Sequence, residues 1–187
     1  MGCGKSAAAG IFRELGFGVV ESDAIVRELW KNDPAVKSAS IKRWGDQVLT
    51  EDNHIDRRKI AELVFASPQE LEWLEGLLHP LVRSRWATQL AASPLQDWVV
   101  EIPLLFEKNL ASEFNLTLCI ASSPALQAVR LAARGLSPLE IAARQSRQWP
   151  LSQKIERADR VVFNDGSLDF LRREIVYIAA QLNHPAQ

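Results

Sequence analysis

The sequence predicts an α/β fold, with a mainly parallel sheet flanked by helices, and three observations carry that expectation. Four short apolar runs, at 18–21, 98–102, 116–120 and 160–163, have strand length and bear Val, Ile and Leu in near-continuous order. Helical segments separate them, and strands joined through helices pair in parallel. A glycine-rich loop, Gly2-Cys3-Gly4-Lys5-Ser6, opens the first helix.

The elements follow in order. Ser6 to Leu15 reads as a helix, with Gly16 just past its end. The first apolar run then ends in the polar Glu21-Ser22-Asp23, and Ala24 to Lys31 is helical. Asn32-Asp33-Pro34 stops that helix and starts the next, Ala35 to Trp44, which breaks at Gly45. Asp56 to Phe65 and Pro68 to Ala92 carry helical spacing, with Leu71, Leu74, Leu77, Leu78, Leu81 and Val82 as an apolar stripe. Pro80 lies inside that stripe, so a kink or break is expected near His79. The helical stretch 24–92 is too long for a simple crossover and reads as a subdomain. Beyond the second and third strands, Ala125 to Arg134 is a helix closed by Gly135. Ser137-Pro138-Leu139-Glu140 is a further helix start, with Ser at the cap, Pro at the first position and Glu at the third. After the last strand, Asn164-Asp165-Gly166 turns into a final helix, Leu168 to Leu182.

Composition narrows the function. The 187 residues fit one domain. Lys and Arg number 22 against 23 Asp and Glu, a balance that argues against general binding to nucleic acid or an anionic membrane. No apolar run approaches the roughly 20 residues that span a bilayer. No secretory leader is read at residue 1, and the two cysteines form no disulfide framework, so a cytoplasmic setting is expected.

The opening loop matches the last three positions of the phosphate-loop pattern G-x-x-x-x-G-K-[ST]. In such a loop the backbone N–H groups of Gly2, Cys3 and Gly4 cradle phosphate oxygens, Lys5 reaches the β- and γ-phosphates, and Ser6 ligates Mg²⁺. Five residues alone leave this open against an N-terminal scrap; the helix starting at Ser6 favours the loop. Asp23 stands at the carboxyl end of a strand, where α/β sheets hold ligands, and position alone leaves it open between ligand contact and helix cap. Arg130, Arg134, Arg144 and Arg147 lie on two helices joined at Gly135-Leu136, as a phosphate clamp or as a solvated face; the solvated face is the reading for Arg130 and Arg147. His79 reads first as a hydrogen-bonded structural group. Cys3, beside Lys5 at a helix start, is in a setting that favours thiolate and oxidant sensitivity, although a plain small loop residue is the simpler reading.

Several further stretches, in order along the chain, resemble the dephospho-coenzyme A kinase family. GCGKS resembles its phosphate loop. VVESDAIVREL resembles its V-I-D-A-D-x-I-A-R segment, with Asp23 on the second Asp and Arg27 on the Arg. LLHPLVR at 77–83 resembles L-x-H-P-L-I-R, and EIPLLFE at 101–107 resembles V-P-L-L-F-E. RQSRQ at 144–148 and ERADRVVFNDGS at 156–167 resemble R-x-x-x-Q and R-A-D-x-V-I-x-N-x-G.

The resemblance implies a P-loop kinase with a five-stranded parallel sheet, a helical subdomain over 24–92 that receives coenzyme A, and a lid over 130–150. It implies transfer of the γ-phosphoryl of ATP, with Mg²⁺, to the ribose 3′-hydroxyl of dephospho-coenzyme A. By the same resemblance Asp23 accepts the hydroxyl proton. Lys5, Arg134 and Arg144 meet phosphate charge, and Asn164 and Gly166 border the nucleotide base. Arg27, Arg57, His79, Arg83 and Pro103 lie towards the acceptor substrate. Glu21 stands where the pattern has the first Asp of D-A-D, one methylene longer, so a water-mediated Mg²⁺ role is not carried over to it. Met1 aligns with an Ile inside the pattern's loop, so a strand and the first loop glycine are expected ahead of residue 1. Two rivals remain: another nucleotide or small-molecule kinase on the same fold, and an inactive, truncated P-loop protein.

Overall fold

The computed structural model describes residues 1–183. The elements are α1 (Lys5–Glu14), β1 (Gly18–Glu21), α2 (Ser22–Asn32), α3 (Pro34–Trp44), α4 (Arg57–Ala66), α5 (Pro68–Ala92), β2 (Trp98–Glu101), β3 (Leu118–Ala121), α6 (Pro124–Ala132), α7 (Pro138–Gln145), α8 (Leu151–Arg157), β4 (Arg160–Phe163) and α9 (Leu168–Asn183). They fall into two compact units, one of Met1–Val19 with the chain from Asp97 onward, the other of Val20–Gln96.

The first unit carries the strands' core. β3 and β4 pair in parallel, in register from Leu118 opposite Arg160 to Ala121 opposite Phe163. β1, which runs through the boundary between the units, neighbours β2 in a second two-stranded sheet; the Gly18 N–H donates to the Asp97 carbonyl at 2.9 Å. Four strands are present among the described residues, where the family resemblance implies five, and they form two pairs rather than one ladder. Both pairs nevertheless share one core. Val99 of β2 and Leu118, Ile120 and Val162 of the other pair pack with Ala8, Ile11 and Phe12 of α1 and with Leu171, Ile175 and Ile178 of α9. Phe12 and Phe17 meet edge to face at 5.1 Å within this core. Burial against helices explains why these strands read as unbroken apolar runs rather than as alternating ones.

A polar lock sits where β3 and β4 begin. Asp159 Oδ2 accepts from the Thr117 N–H at 2.8 Å and the Thr117 hydroxyl at 2.7 Å, and the Asp159 N–H donates to Thr117 Oγ1 at 3.1 Å. The Thr117 side-chain and backbone donors hold the Asp159 carboxyl below the usual carboxylate range. A depressed carboxylate adds stability above its unfolded pKa of about 3.9, and that stability is lost as pH falls through the folded value. Urea midpoints measured downward from pH 5 are therefore expected to fall more steeply in the wild type than in Asp159→Asn. Equal slopes would show that the lock contributes nothing.

The second unit is helical, as the length of 24–92 requires. Its starts are explicit: Asp33 accepts from the Ala35 and Val36 N–H groups, Asp56 from Arg58 and Lys59, and Ser67 from Glu70. Pro34 and Pro68 occupy first-turn positions where no donor is needed. Of the kink or break expected near His79, the break does not occur: α5 runs through Pro80 from Pro68 to Ala92. Leu78, Val82 and Trp86 are buried at four-residue intervals on either side of the proline. That stripe packs against the other helices of the unit, while Pro80 and Gly76, the residue whose carbonyl the ring crowds, are exposed. Tertiary burial thus holds together a helix that local sequence would interrupt. Trp44 stacks edge to face on Trp73 at 4.8 Å and donates to Glu70, which also grips Arg43.

Candidate active site

The loop before α1 is shaped by its two glycines. Gly2 and Gly4 have φ of +73° and +93°, in the region that L side chains rarely adopt. A Cβ on Gly4 would lie 2.2 Å from Asn164 Nδ2, and one on Gly2 would lie 3.0 Å from the Gln127 carbonyl oxygen. No side chain fits at Gly4 without displacing Asn164.

The loop's carbonyls are turned towards the protein. Asn164 Nδ2 donates to the Cys3 carbonyl at 2.8 Å. Ser122 Oγ donates to the Asn164 carbonyl at 2.9 Å, with the Cys3 carbonyl at 3.4 Å. Arg130 Nη1 donates to Ser122 Oγ at 2.9 Å and to the Gly2 carbonyl at 3.4 Å, while its Nη2 donates to the Asn164 carbonyl at 2.9 Å. Gln127 Nε2 holds the Ser122 carbonyl at 2.7 Å. Ser122, Gln127 and Asn164 are buried polar residues, and each is satisfied by this network. With the loop carbonyls engaged from behind, the N–H groups at the start of α1 are left to meet an anion.

Lys5 and Ser6 are the first residues of α1, and Ser6 is exposed. Lys5 Nζ lies 3.8 Å from Glu101 Oε1, and Ser6 Oγ donates to the same oxygen at 3.4 Å. Glu101 ends β2, so the strand's carboxyl edge brings a carboxylate to the loop. A hydroxyl and a carboxylate are hard oxygen donors of the kind Mg²⁺ takes.

Of the two readings of Cys3, burial favours the simpler one, a small loop residue, over the reactive thiol. It is 5% exposed, its Sγ faces the Met1 carbonyl at 3.5 Å, and it belongs to the α1–α9 core. Its backbone serves the loop, but its side chain is packing. Arg130, read from sequence as a solvated residue, is instead half-buried against the loop, and Arg147 is also half-buried. Asn164 is buried under the loop rather than displayed in a surface turn; Gly166, two residues on, is exposed and sits close to Phe170.

The two other arginines singled out from the sequence lie at the end of α6 and on α7. Arg134 is exposed just past α6, and Arg144 is half-buried on α7. The capping box read from sequence is formed: Ser137 Oγ accepts from the Glu140 N–H, and Glu140 accepts from the Ser137 N–H at 2.9 Å. The Ser137 donors hold the Glu140 carboxyl below its usual range. Pro103 follows β2 in a half-buried turn. Glu107, further along, binds locally, accepting from the Trp149 N–H at 2.8 Å and from Lys154 Nζ at 2.7 Å.

In the helical unit, Asp23 is exposed in the first turn of α2, with Arg27 one turn on. The helix begins at Ser22, its cap position is Glu21 and no side-chain cap is made, so the capping alternative for Asp23 is not what the structure shows. His79 and Arg83 are exposed one turn apart on α5, and Arg57 is exposed at the start of α4. Sequence reasoning missed Glu101, Ser122 and Gln127 and misplaced Arg130. Glu101 did leave a signal, as the lone charge in an apolar strand. The others left none, because their partners lie more than a hundred residues away or are backbone atoms.

Similarity to known proteins agrees with this layout. The family model described as dephospho-CoA kinase matches residues 1–169. The dephospho-CoA kinase of Thermosynechococcus vestitus is 36% identical over 92% of this chain and 86% of its own. That of Coxiella burnetii is 33% identical over 100% and 95%. A crystal structure of a Thermus thermophilus protein superposes with a TM-score of 0.81 at 34% identity, covering 97% of this chain and 93% of that one. The dephospho-CoA kinase of Campylobacter jejuni gives a TM-score of 0.69 at 27% identity, over 97% and 92%.

Proposed function

This chain belongs to the dephospho-CoA kinase family, and from that premise we propose how its own residues carry the transfer of the ATP γ-phosphoryl to the 3′-hydroxyl of dephospho-CoA. The observation that supports the reading best is the convergence of Lys5, Ser6 and Glu101 at a glycine loop whose Gly2 and Cys3 carbonyls accept from Arg130 and Asn164.

Phosphoryl transfer asks mainly for positioning and charge neutralisation. The N–H groups of the loop and the first turn of α1 hold the phosphates, and Lys5 offsets charge on the transferring group. Ser6 and Glu101 would hold Mg²⁺, which would supply charge neutralisation for the phosphates. The ribose 3′-oxygen forms a bond to the γ-phosphorus as the bond from that phosphorus to the β,γ-bridging oxygen breaks; ADP leaves. Asp23 accepts the hydroxyl proton. Arg134 and Arg144, over the stretch 130–150 taken as the lid, add charge to the departing phosphates, and Gly166 borders the base. Within 24–92, Arg27, Arg57, His79 and Arg83 face the acceptor's phosphates, with Pro103 shaping the site at the end of β2.

No helix among the described residues is long and apolar enough to cross a membrane. The near-neutral charge balance supports a small molecule rather than nucleic acid as the partner, and the proposed setting is the cytoplasm.

The test is ATP-dependent phosphorylation with Mg²⁺ across a panel of acceptors: dephospho-CoA, AMP, CMP and pantothenate. The expected product is phosphorylated at the ribose 3′ position, from dephospho-CoA alone. Preference for a nucleoside monophosphate would install the rival kinase reading, and no turnover of any acceptor would install the inactive one.

A further inference from the structure

We infer that Glu107 is a positioning residue for nucleotide binding. Its carboxylate clamps the base of the 130–150 segment, so that Arg144 on that segment meets the phosphates of ATP. The inference rests on the kinase reading for its ligand, and extends it to a residue that acts through the segment rather than on the substrate.

Three observations converge. First, no residue from 132 to 160 is buried, and α7 and α8 both lie in that stretch. A stretch without core contacts opens at low free energy, so polar points have to fix its place. At the near end, Gly135 makes the turn between α6 and α7 with φ of +80°. Second, Glu107 is a polar point at the far end. Its side chain is 9% exposed and that of Lys154 is 14% exposed. Glu107 Oε1 accepts from the Trp149 N–H at 2.8 Å and from Lys154 Nζ at 2.7 Å. One oxygen thus grips both the last residues of the segment and α8, which follows it. Arg157 lies over the Trp149 ring at 4.8 Å and ties α8 back to the same residue. Glu107 Oε2 is buried without a hydrogen-bond partner among the described residues. A buried carboxylate held on one oxygen is a poor choice for packing alone, since an apolar side chain of similar volume fills such a place at least as well. Third, the clamp stands on a fixed base. Glu107 lies in the wound turn after β2, where the Lys108 N–H donates to the Leu104 carbonyl and the Leu110 N–H to the Leu105 carbonyl, both at 3.0 Å. β2 ends in Glu101, whose carboxylate meets Lys5 and Ser6. The end of one strand therefore reaches the phosphate loop through Glu101 and the arginine-bearing segment through Glu107.

The experiment is calorimetric binding of Mg·ATP, with no acceptor present, to wild type, Glu107→Leu, Glu107→Gln, Arg144→Ala and the double variant Glu107→Leu with Arg144→Ala. Hydrogen exchange over 136–149, the thermal midpoint, and KM for dephospho-CoA at saturating Mg·ATP are recorded alongside. Glu107→Leu removes the acceptor from the Trp149 N–H. It is expected to weaken Mg·ATP by about 5–20-fold, the lower part of the range for coupled sites, and to speed exchange over 136–149. The KM for dephospho-CoA is expected to stay at the wild-type value. Glu107→Gln keeps an acceptor oxygen without the charge that Lys154 grips, and its affinity is expected to fall between the two. In the Arg144→Ala background, Glu107→Leu is expected to add little further loss, because the clamp acts through that arginine.

Wild-type affinity for Mg·ATP in folded Glu107→Leu overturns the inference whatever the midpoint does, since a carboxylate that serves structure alone moves the midpoint alone. An undiminished further loss in the Arg144→Ala background overturns it too. If Glu107→Leu does not fold, Glu107→Gln decides, and wild-type affinity and exchange in that variant have the same consequence. Because binding is read without turnover, a wild type that binds Mg·ATP but does not phosphorylate dephospho-CoA overturns the kinase reading alone. A wild type that does not bind Mg·ATP overturns both.

Discussion

Asp23→Asn is expected to lower kcat for dephospho-CoA by about 10²–10⁴-fold, the range that a positioned general base contributes, while leaving the Kd for ATP unchanged. The structural ground is the exposed place of Asp23 in the first turn of α2, directly beyond the carboxyl end of β1. A carboxylate in that place can accept the hydroxyl proton. An amide has the same shape and no such capacity. The substitution also removes no cap, since α2 starts without a side-chain cap, and the thermal midpoint is expected to stay within a degree or two of wild type for a surface change of this kind. Single-turnover kinetics with saturating ATP separate the chemical step from product release. A kcat within a few-fold of wild type would remove Asp23 from the chemistry and leave the proton to solvent.

Lys5→Ala is the second large effect, with an expected loss of about 10²–10³-fold in kcat, comparable to deleting one preorganised electrostatic donor. Lys5 Nζ stands 3.8 Å from Glu101, whose side chain is only 13% exposed. Removing the lysine therefore does two things. It deletes the cation that meets the transferring phosphoryl, and it takes one positive charge away from a carboxylate near the loop. The double variant Lys5→Ala with Glu101→Gln separates these. Partial recovery of ATP binding, measured without Mg²⁺, is expected in the double variant, because a negative charge near the loop has gone, with kcat remaining low. If the double variant binds ATP no better than Lys5→Ala, Glu101 does not oppose the nucleotide and the pairing seen here is incidental.

The fold was legible where local chemistry decides. Asp33-Pro34, Ser67-Pro68 and Ser137-Pro138 with Glu140 each specify a helix start through side-chain acceptors and a missing donor, and each helix begins there. The β4 run is found where its apolar content put it, and β3 begins two residues later than its run, after Thr117. Pro80 was misread because its penalty is local while the burial of Leu78, Val82 and Trp86 that outweighs it is tertiary. The helix Leu151–Arg157 went unread because it has no side-chain cap and no buried stripe.

The candidate site was legible only in part, for a related reason. Lys5, Ser6 and Asp23 sit in patterns that linear spacing exposes. Arg130 does not: four residues before Arg134 on a basic helix, it looks like any solvated charge. Its half-buried place rests on three oxygens from residues 2, 122 and 164, two of them backbone atoms that carry no sequence signature.

The bond from Asn164 to the Cys3 carbonyl spans 161 residues, and this has a consequence for how the protein is made. A chain emerging from the ribosome delivers the loop first and its brace almost last. Contacts of such long sequence separation form late, after the entropy of closing the intervening chain has been met. Until β4 has left the exit tunnel, the Cys3 carbonyl lacks its Asn164 donor and the loop is not yet fully held. Nucleotide binding is thus a property of the nearly finished polypeptide, and a nascent chain stalled before Asn164 is expected to be blind to ATP even with Lys5 and Ser6 already in solution.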